Sequence, residues 1–337
     1  MKTIYGIQYL RAFAALAVVL FHAAEKTGHH FAIGAAGVDV FFVISGFIMW
    51  VISDRRALTP AGFLYERVRR IAPIYWLATM VMVAGGILGL FPNLVLTTQH
   101  IAASLLFVPV RSPSTGEIWP VLVQGWTLNF EMFFYVIFAL SLFLERRWRL
   151  TVVAAVFAAL VLSGLVVRVQ NPIFVTYTRP IMLEFIAGMF IGQAWLKGRV
   201  LGPHAGMFLM VMAIGGFLAL QVFGLSFNEF NCGPLAVALV AGALFLEAAG
   251  WVGRWRVFTF FGDASYSIYI WHTFAISLIA KLGGSVGLDP VITFVVAVVG
   301  GTASGSCAYL LLERPLAKLF KSPKPKSWPH QVPAEET

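Results

Sequence analysis

A few side chains able to move protons or hold anions stand in surroundings where such groups are costly. Arg11 and His22 share one apolar run. The ordinary titration of an imidazole lies close to neutrality, so His22 can serve as a general base or as a nucleophile. Eleven positions at about 100° each return to nearly the same helix face, about 16 Å further along the axis. Asp39 opens Gly37-Val38-Asp39-Val40-Phe41-Phe42-Val43-Ile44-Ser45-Gly46-Phe47, and Glu131 ends Gly125-Trp126-Thr127-Leu128-Asn129-Phe130-Glu131. Either carboxylate would fix the tautomer of a neighbouring histidine and raise its basicity. Arg67, Arg69 and Arg70 precede Ile71-Ala72-Pro73. Arg67 and Arg70 lie one helical turn apart and suit a phosphate-bearing ligand. Ser265-Tyr266-Ser267-Ile268-Tyr269-Ile270-Trp271-His272 carries a second histidine in an apolar setting. Each group also has a plainer reading: interhelical hydrogen bonding for the histidines, a helix-start charge for Asp39, solvation of a helix start for Glu131, and a topology signal for the arginines.

The elements that must position these groups are membrane helices. Of 337 residues, 59% are hydrophobic and 12% charged, against about 45–50% and about 25% in a typical soluble domain. So much apolar surface needs lipid, and inside lipid every backbone polar group must be paired within its own segment. The pattern predicts an all-α bundle with ten spans, at 8–24, 35–53, 72–91, 127–144, 150–168, 181–196, 206–223, 233–249, 259–281 and 291–312. The apolar stretch 98–109 is too short to cross and is expected at the interface or as a re-entrant segment. With both ends cytoplasmic, 18 of the 24 basic residues fall in inner segments, among them Lys2, Arg55, Arg56, Arg146, Lys197, Arg254 and Arg314. Only Lys26, Arg111, Arg168, Arg179 and Lys281 fall outside, and Arg11 lies within the first span. His22, Asp39 and Glu131 then share the outer half. Residues 1–315 read as one membrane domain, and 316–337, rich in Pro, Lys and Glu, as a disordered cytoplasmic tail.

The net charge of +9 is explained by short inner loops and does not point to nucleic acid. Cys232 and Cys307 make neither a disulfide framework nor a metal site. Nucleotide-binding Gly loops, His-Glu-x-x-His and Gly-x-Ser-x-Gly are absent, so no metal and no bound cofactor are expected. No internal repeat is evident.

In order along the chain, several of these motifs resemble the integral-membrane acyltransferase-3 family. Arg11 with ten residues before His22, the Gly37–Phe47 block, Arg67-x-x-Arg70 before Ile71-Ala72-Pro73, and Tyr266–His272 carry the likeness. Ile7-Gln8-Tyr9-Leu10-Arg11-Ala12 and the Gly125–Glu131 block look most like the exopolysaccharide O-acetyltransferases of rhizobial succinoglycan producers. The resemblance runs from residue 4 to about 315. It implies a multi-pass protein of the bacterial inner membrane. Its activity would be transfer of an acyl group, usually acetyl, from cytoplasmic acyl-CoA as co-substrate to a carbohydrate hydroxyl. It also implies that His22 and Arg11 are the catalytic pair and that Arg67 and Arg70 serve donor binding.

On that footing Asp39 or Glu131 would orient His22, acting as base or as acyl carrier. Arg67, Arg69, Arg70, Ser45, Tyr266, Tyr269 and His272 would lie on the acyl-CoA side, and Trp119 and Trp126 would stack on the acceptor sugar. The partners expected are acyl-CoA, a polysaccharide or lipid-linked saccharide, the bilayer and a polysaccharide assembly complex. Two other classes fit the same polar residues. One is a flippase for a lipid-linked saccharide with His22, Asp39 and Glu131 as a proton relay. The other is a non-catalytic subunit of an export complex.

Overall fold

The computed structural model describes residues 3–55 and 58–319. In chain order the helices are α1 (Tyr5–Lys26), α2 (Gly37–Arg55), α3 (Pro60–Ile87), α4 (Thr98–Leu105), α5 (Trp126–Ser141), α6 (Arg146–Val166) and α7 (Pro172–Tyr177). They continue as α8 (Met182–Leu196), α9 (Pro203–Val222), α10 (Glu229–Ala248), α11 (Arg256–Ser285), α12 (Pro290–Ala308) and α13 (Arg314–Leu319). Two 3-10 turns, Ala32–Ala36 and Val123–Gly125, lead into α2 and α5, and a π turn, Tyr309–Glu313, joins α12 to α13. No strand occurs among the described residues.

Nine helical segments among the described residues are long and apolar enough to cross a bilayer, and they match nine of the ten expected spans. The expected span 259–281 lies within α11, whose 30 residues are long enough but carry Asp263, His272 and Lys281. α11 lies against α1 and α12, and Ser265, Ser267 and His272 are fully buried, whereas Asp263 and Lys281 toward its two ends are exposed. The 98–109 stretch forms the eight-residue α4, too short to span. The sixth span begins at Pro172 and is broken between α7 and α8 at Thr178–Ile181, where Pro180 disfavours helical backbone in the residue before it. α13 carries helix across the expected boundary at 315/316 as far as Leu319. Lys2, Arg56 and the tail from 320 onward lie outside the described residues.

Contacts give the helix directions. Gln8 meets Asp263, Arg11 meets Ser265 and His22 meets His272, so α1 and α11 run parallel in register. α12 returns antiparallel, with Gly301 against Ile276 and Gly305 against Ile268. α2 and α8 run parallel and cross closely. A Cβ on Gly46 would strike the Phe185 carbonyl, and one on Gly188 the Val43 carbonyl, so both positions need glycine for the backbones to approach. Phe42, Phe185 and Phe134 follow in a buried aromatic stack with centroid separations of 4.6 and 4.5 Å. The start of α1 lacks a local cap, and Glu247 at the end of α10 accepts from the Tyr5 and Gly6 amides at 3.1 and 2.8 Å. Thus one end of the bundle gathers the start of α1, the end of α2, the start of α3 and the α10–α11 connection. His22 lies toward the opposite end.

Candidate active site

Five helices, α1, α2, α3, α5 and α11, enclose a cavity with about 780 Å³ of space free of atoms, its mouth included. On α2 its wall runs from Val38 to Met49, eleven positions or about 16 Å. Arg70 is exposed and lines it from α3 at the basic end. Arg11 lines it from α1, donating to Gln8 Oε1 and to Ser265 Oγ, both at 2.9 Å. Arg11 and Arg70 lie within electrostatic range of one another, so two guanidinium groups face the same space. Ser45 donates to Glu131 at 3.1 Å, and Tyr135 also donates to Glu131. Tyr266 lines the wall and donates to the Ile71 carbonyl at 2.7 Å, two residues before Pro73 inside α3. Apart from these groups the wall is largely apolar.

Of the three clustered arginines only Arg70 lines the cavity. Arg67 is buried behind it, with Nη2 at 3.6 Å from Glu66 and its guanidinium over the Phe63 ring. Its Nε and Nη1 are buried without a hydrogen-bond partner. Arg69 stacks on Tyr65, a largely exposed ring. The one-turn spacing of Arg67 and Arg70 therefore brings them close without pointing both into one space.

His22 is not part of the cavity wall. Its Nδ1 lies 3.2 Å from Glu25 Oε2, and 27% of its side chain is exposed. The expected orienting carboxylates are engaged elsewhere. Asp39 lies beside Glu184, both buried, with the Arg179–Glu229 ion pair close by. Glu131 holds Ser45 and Tyr135. An ionised carboxylate only accepts, so the Glu25 contact puts the His22 proton on Nδ1 and the free lone pair on Nε2. The spacing from His22 to Glu25 is one helical turn, a signal present in the sequence. His272, expected on the donor side, packs against His22 with ring centroids 5.3 Å apart. Its Nδ1 bonds to the Ile268 carbonyl at 2.9 Å and its Nε2 has no hydrogen-bond partner.

Trp119 and Trp126 are both apart from the cavity wall. Trp119 is 40% exposed, and its carbonyl accepts from His100 at 2.9 Å. Trp126 packs edge-on to Phe130, with the Arg179 guanidinium 5.8 Å from its ring. Glu313, which spacing arguments alone did not single out, accepts from Ser267 at 2.5 Å and lies within electrostatic range of Arg11 and Arg70. Its position in the π turn aims it back toward α11, and no periodic pattern announces such a turn. No group of three or more metal-ligating side chains occurs among the described residues.

A polytopic helical bundle with a largely apolar cavity faced by two guanidinium groups is the setting of these residues, and the class of protein follows from its relatives. The chain belongs to the acyltransferase-3 family: the Acyl_transf_3 description, acyltransferase domain, matches residues 4–311. It is a multi-pass membrane protein and an O-acyltransferase. It is 62% identical over 300 residues to the exopolysaccharide production protein ExoZ of Rhizobium meliloti (strain 1021), covering 89% of this chain and 95% of that protein. It is 27% identical to nodulation protein 10 of Rhizobium leguminosarum bv. viciae, covering 86% of this chain and 83% of that one. It is 24% identical to the putative O-acetyltransferase SACOL0978 of Staphylococcus aureus (strain COL), covering 83% of this chain and 52% of that longer protein. No solved structure matches.

Proposed function

We propose that this protein resides in the bacterial inner membrane and transfers an acyl group, acetyl by preference, from cytoplasmic acyl-CoA to a hydroxyl of an exopolysaccharide or its lipid-linked precursor. The observation that carries this reading is the cavity. Arg70 stands at its basic end, Arg11 stands inside, and its wall runs about 16 Å toward the end of the bundle that holds His22. An extended pantetheine arm is roughly 15–20 Å long by chain-length reasoning. The anionic CoA head would dock at Arg70, backed by Arg67 and flanked by Arg69, while the arm follows the apolar wall past Ser45, Tyr266 and Tyr269. The acceptor would approach the exposed edge of His22, with Trp119 and Trp126 on that side as stacking surfaces.

The chemistry follows from the tautomer. Nε2 of His22 takes the proton of the acceptor hydroxyl, the oxygen attacks the thioester carbonyl carbon, and a C–O bond forms as the C–S bond breaks. The CoA thiolate leaves and takes the proton back from Nε2, so no net charge accumulates on the protein. Glu25 holds Nδ1–H throughout and stabilises the imidazolium. A search for acyl-His22 after rapid quenching separates direct transfer from passage through the ring nitrogen.

Mass analysis of surface polysaccharide from wild-type, deletion and His22→Ala cells tests the reading. Polymer that is still made and exported but lacks acetyl in both mutants is expected. Polymer absent or trapped inside the deletion strain would turn the assignment toward transport or assembly. Full acetylation by an inserted His22→Ala protein would remove His22 from the mechanism.

A further inference from the structure

The far end of the cavity does not open on His22. Phe41 and Tyr269 both line the cavity, and their rings meet edge to face at a centroid separation of 6.2 Å. Tyr269 lies in turn 6.2 Å from His272, and His272 lies 5.3 Å from His22. Tyr269 and His272 thus stand in line between the cavity and the imidazole, and Phe41 packs beside Tyr269 on the cavity side. Tyr269 is held in the cavity wall from two sides: Thr127 Oγ1 donates to its hydroxyl at 3.0 Å, and the hydroxyl donates to the Gln124 carbonyl at 3.2 Å. Gln124 belongs to the 3-10 turn that starts α5, so the pin is set by backbone as well as side chain. Phe41 is only partly buried and has no such pin.

This arrangement bears on the acyl group itself and rests on the donor reading above. CoA is common to all acyl-CoA donors, so the arginines cannot tell acetyl from a longer chain. Discrimination must come where the acyl carbons pass; Phe41 and Tyr269 are the rings there that line the cavity, and His272 stands behind Tyr269. We propose that Phe41 and Tyr269 are the specificity-determining residues for acyl length. They admit a two-carbon acyl group past their edges to His22 and stop longer chains within the apolar cavity. Selection then falls on passage and not on binding. A longer acyl-CoA should occupy the cavity and compete with the short one while being transferred poorly, because each extra methylene must displace packed ring atoms.

The test uses membranes from a deletion strain expressing the full chain, with the endogenous saccharide as acceptor and acyl-labelled acetyl-, butyryl- and hexanoyl-CoA as donors. Label in the saccharide fraction is counted. Wild-type membranes are expected to favour acetyl over butyryl by at least about tenfold, with butyryl-CoA inhibiting acetyl transfer. Phe41→Ala is expected to raise the butyryl-to-acetyl ratio by about tenfold or more. Tyr269→Phe, which keeps the ring and releases the pin, should raise it by a smaller factor. Phe41→Leu provides a second, milder opening should the alanine protein insert poorly. A butyryl-to-acetyl ratio unchanged in a Phe41 variant that still transfers acetyl overturns the inference and leaves the donor reading intact. Failure of wild-type membranes to label saccharide from any of the three donors overturns the donor reading, and the inference with it.

Discussion

At the residue scale the proposed chemistry rests on Glu25 and His22. One helical turn separates them, and in the proposed mechanism the carboxylate–imidazole contact leaves the Nε2 lone pair as the reactive site. Replacing Glu25 by Ala should lower kcat by about tenfold and leave KM for acyl-CoA unchanged, because Glu25 touches the base and not the donor. His22→Ala should cost about a hundredfold or more in transfer, the usual worth of a positioned base, with insertion unaffected. Arg70 acts at the other end of the cavity. Charge reversal, Arg70→Glu, should raise KM for acyl-CoA roughly tenfold, the scale of one lost charge-assisted contact, with a smaller effect on kcat. Steady-state transfer assays with the three variants decide among these outcomes, since a shared folding defect would lower all parameters together.

Close crossings matter most at the scale of elements. Gly46 and Gly188 let α2 and α8 approach until a Cβ would meet a backbone carbonyl, which cannot rotate away. Gly46→Ala should therefore destabilise the bundle by about 1–3 kcal/mol or more and lower the thermal midpoint in detergent. Gly215 in α9 faces open space, and Gly215→Ala should leave the midpoint unchanged or slightly raised, because alanine is the better helix former. The same crossing sets Asp39 beside Glu184. A helix period could show that Asp39 begins a span, but which neighbour it meets depends on how α2 and α8 are paired, and nothing local encodes that pairing. The break between α7 and α8 follows from local chemistry, since Pro180 marks it.

The topology is testable at the scale of the whole molecule. The distribution of basic residues predicts that both ends are cytoplasmic, so green fluorescent protein fused after the tail should fluoresce. Alkaline phosphatase at the same point should be inactive, and fusions in the α3–α5 connection should show the reverse. Most of the fold was legible in the residues themselves, because lipid leaves the backbone only one pairing scheme and apolar length then counts the helices. Nine expected spans are recovered as apolar helices, and the tenth falls within α11, whose Ser265, Ser267 and His272 the surrounding helices bury. The polar groups that the proposed chemistry uses stood out as well: Arg11, His22, Arg70 and the Tyr266–His272 run are rare polar residues in or beside apolar stretches. Their partners did not. Equal depth in the membrane suggested Asp39 and Glu131 for His22, but depth is one coordinate of three. Only the packing of α1 on α11 brings His272 to His22, only the pairing of α2 with α8 takes Asp39 away, and only the five-helix cavity separates Arg70 from Arg67 and gathers Phe41 and Tyr269 in its wall. Helix formation in lipid is a local necessity, readable residue by residue. The choice of which faces meet is made by close contacts between segments up to 255 residues apart, and it exists only in the assembled bundle.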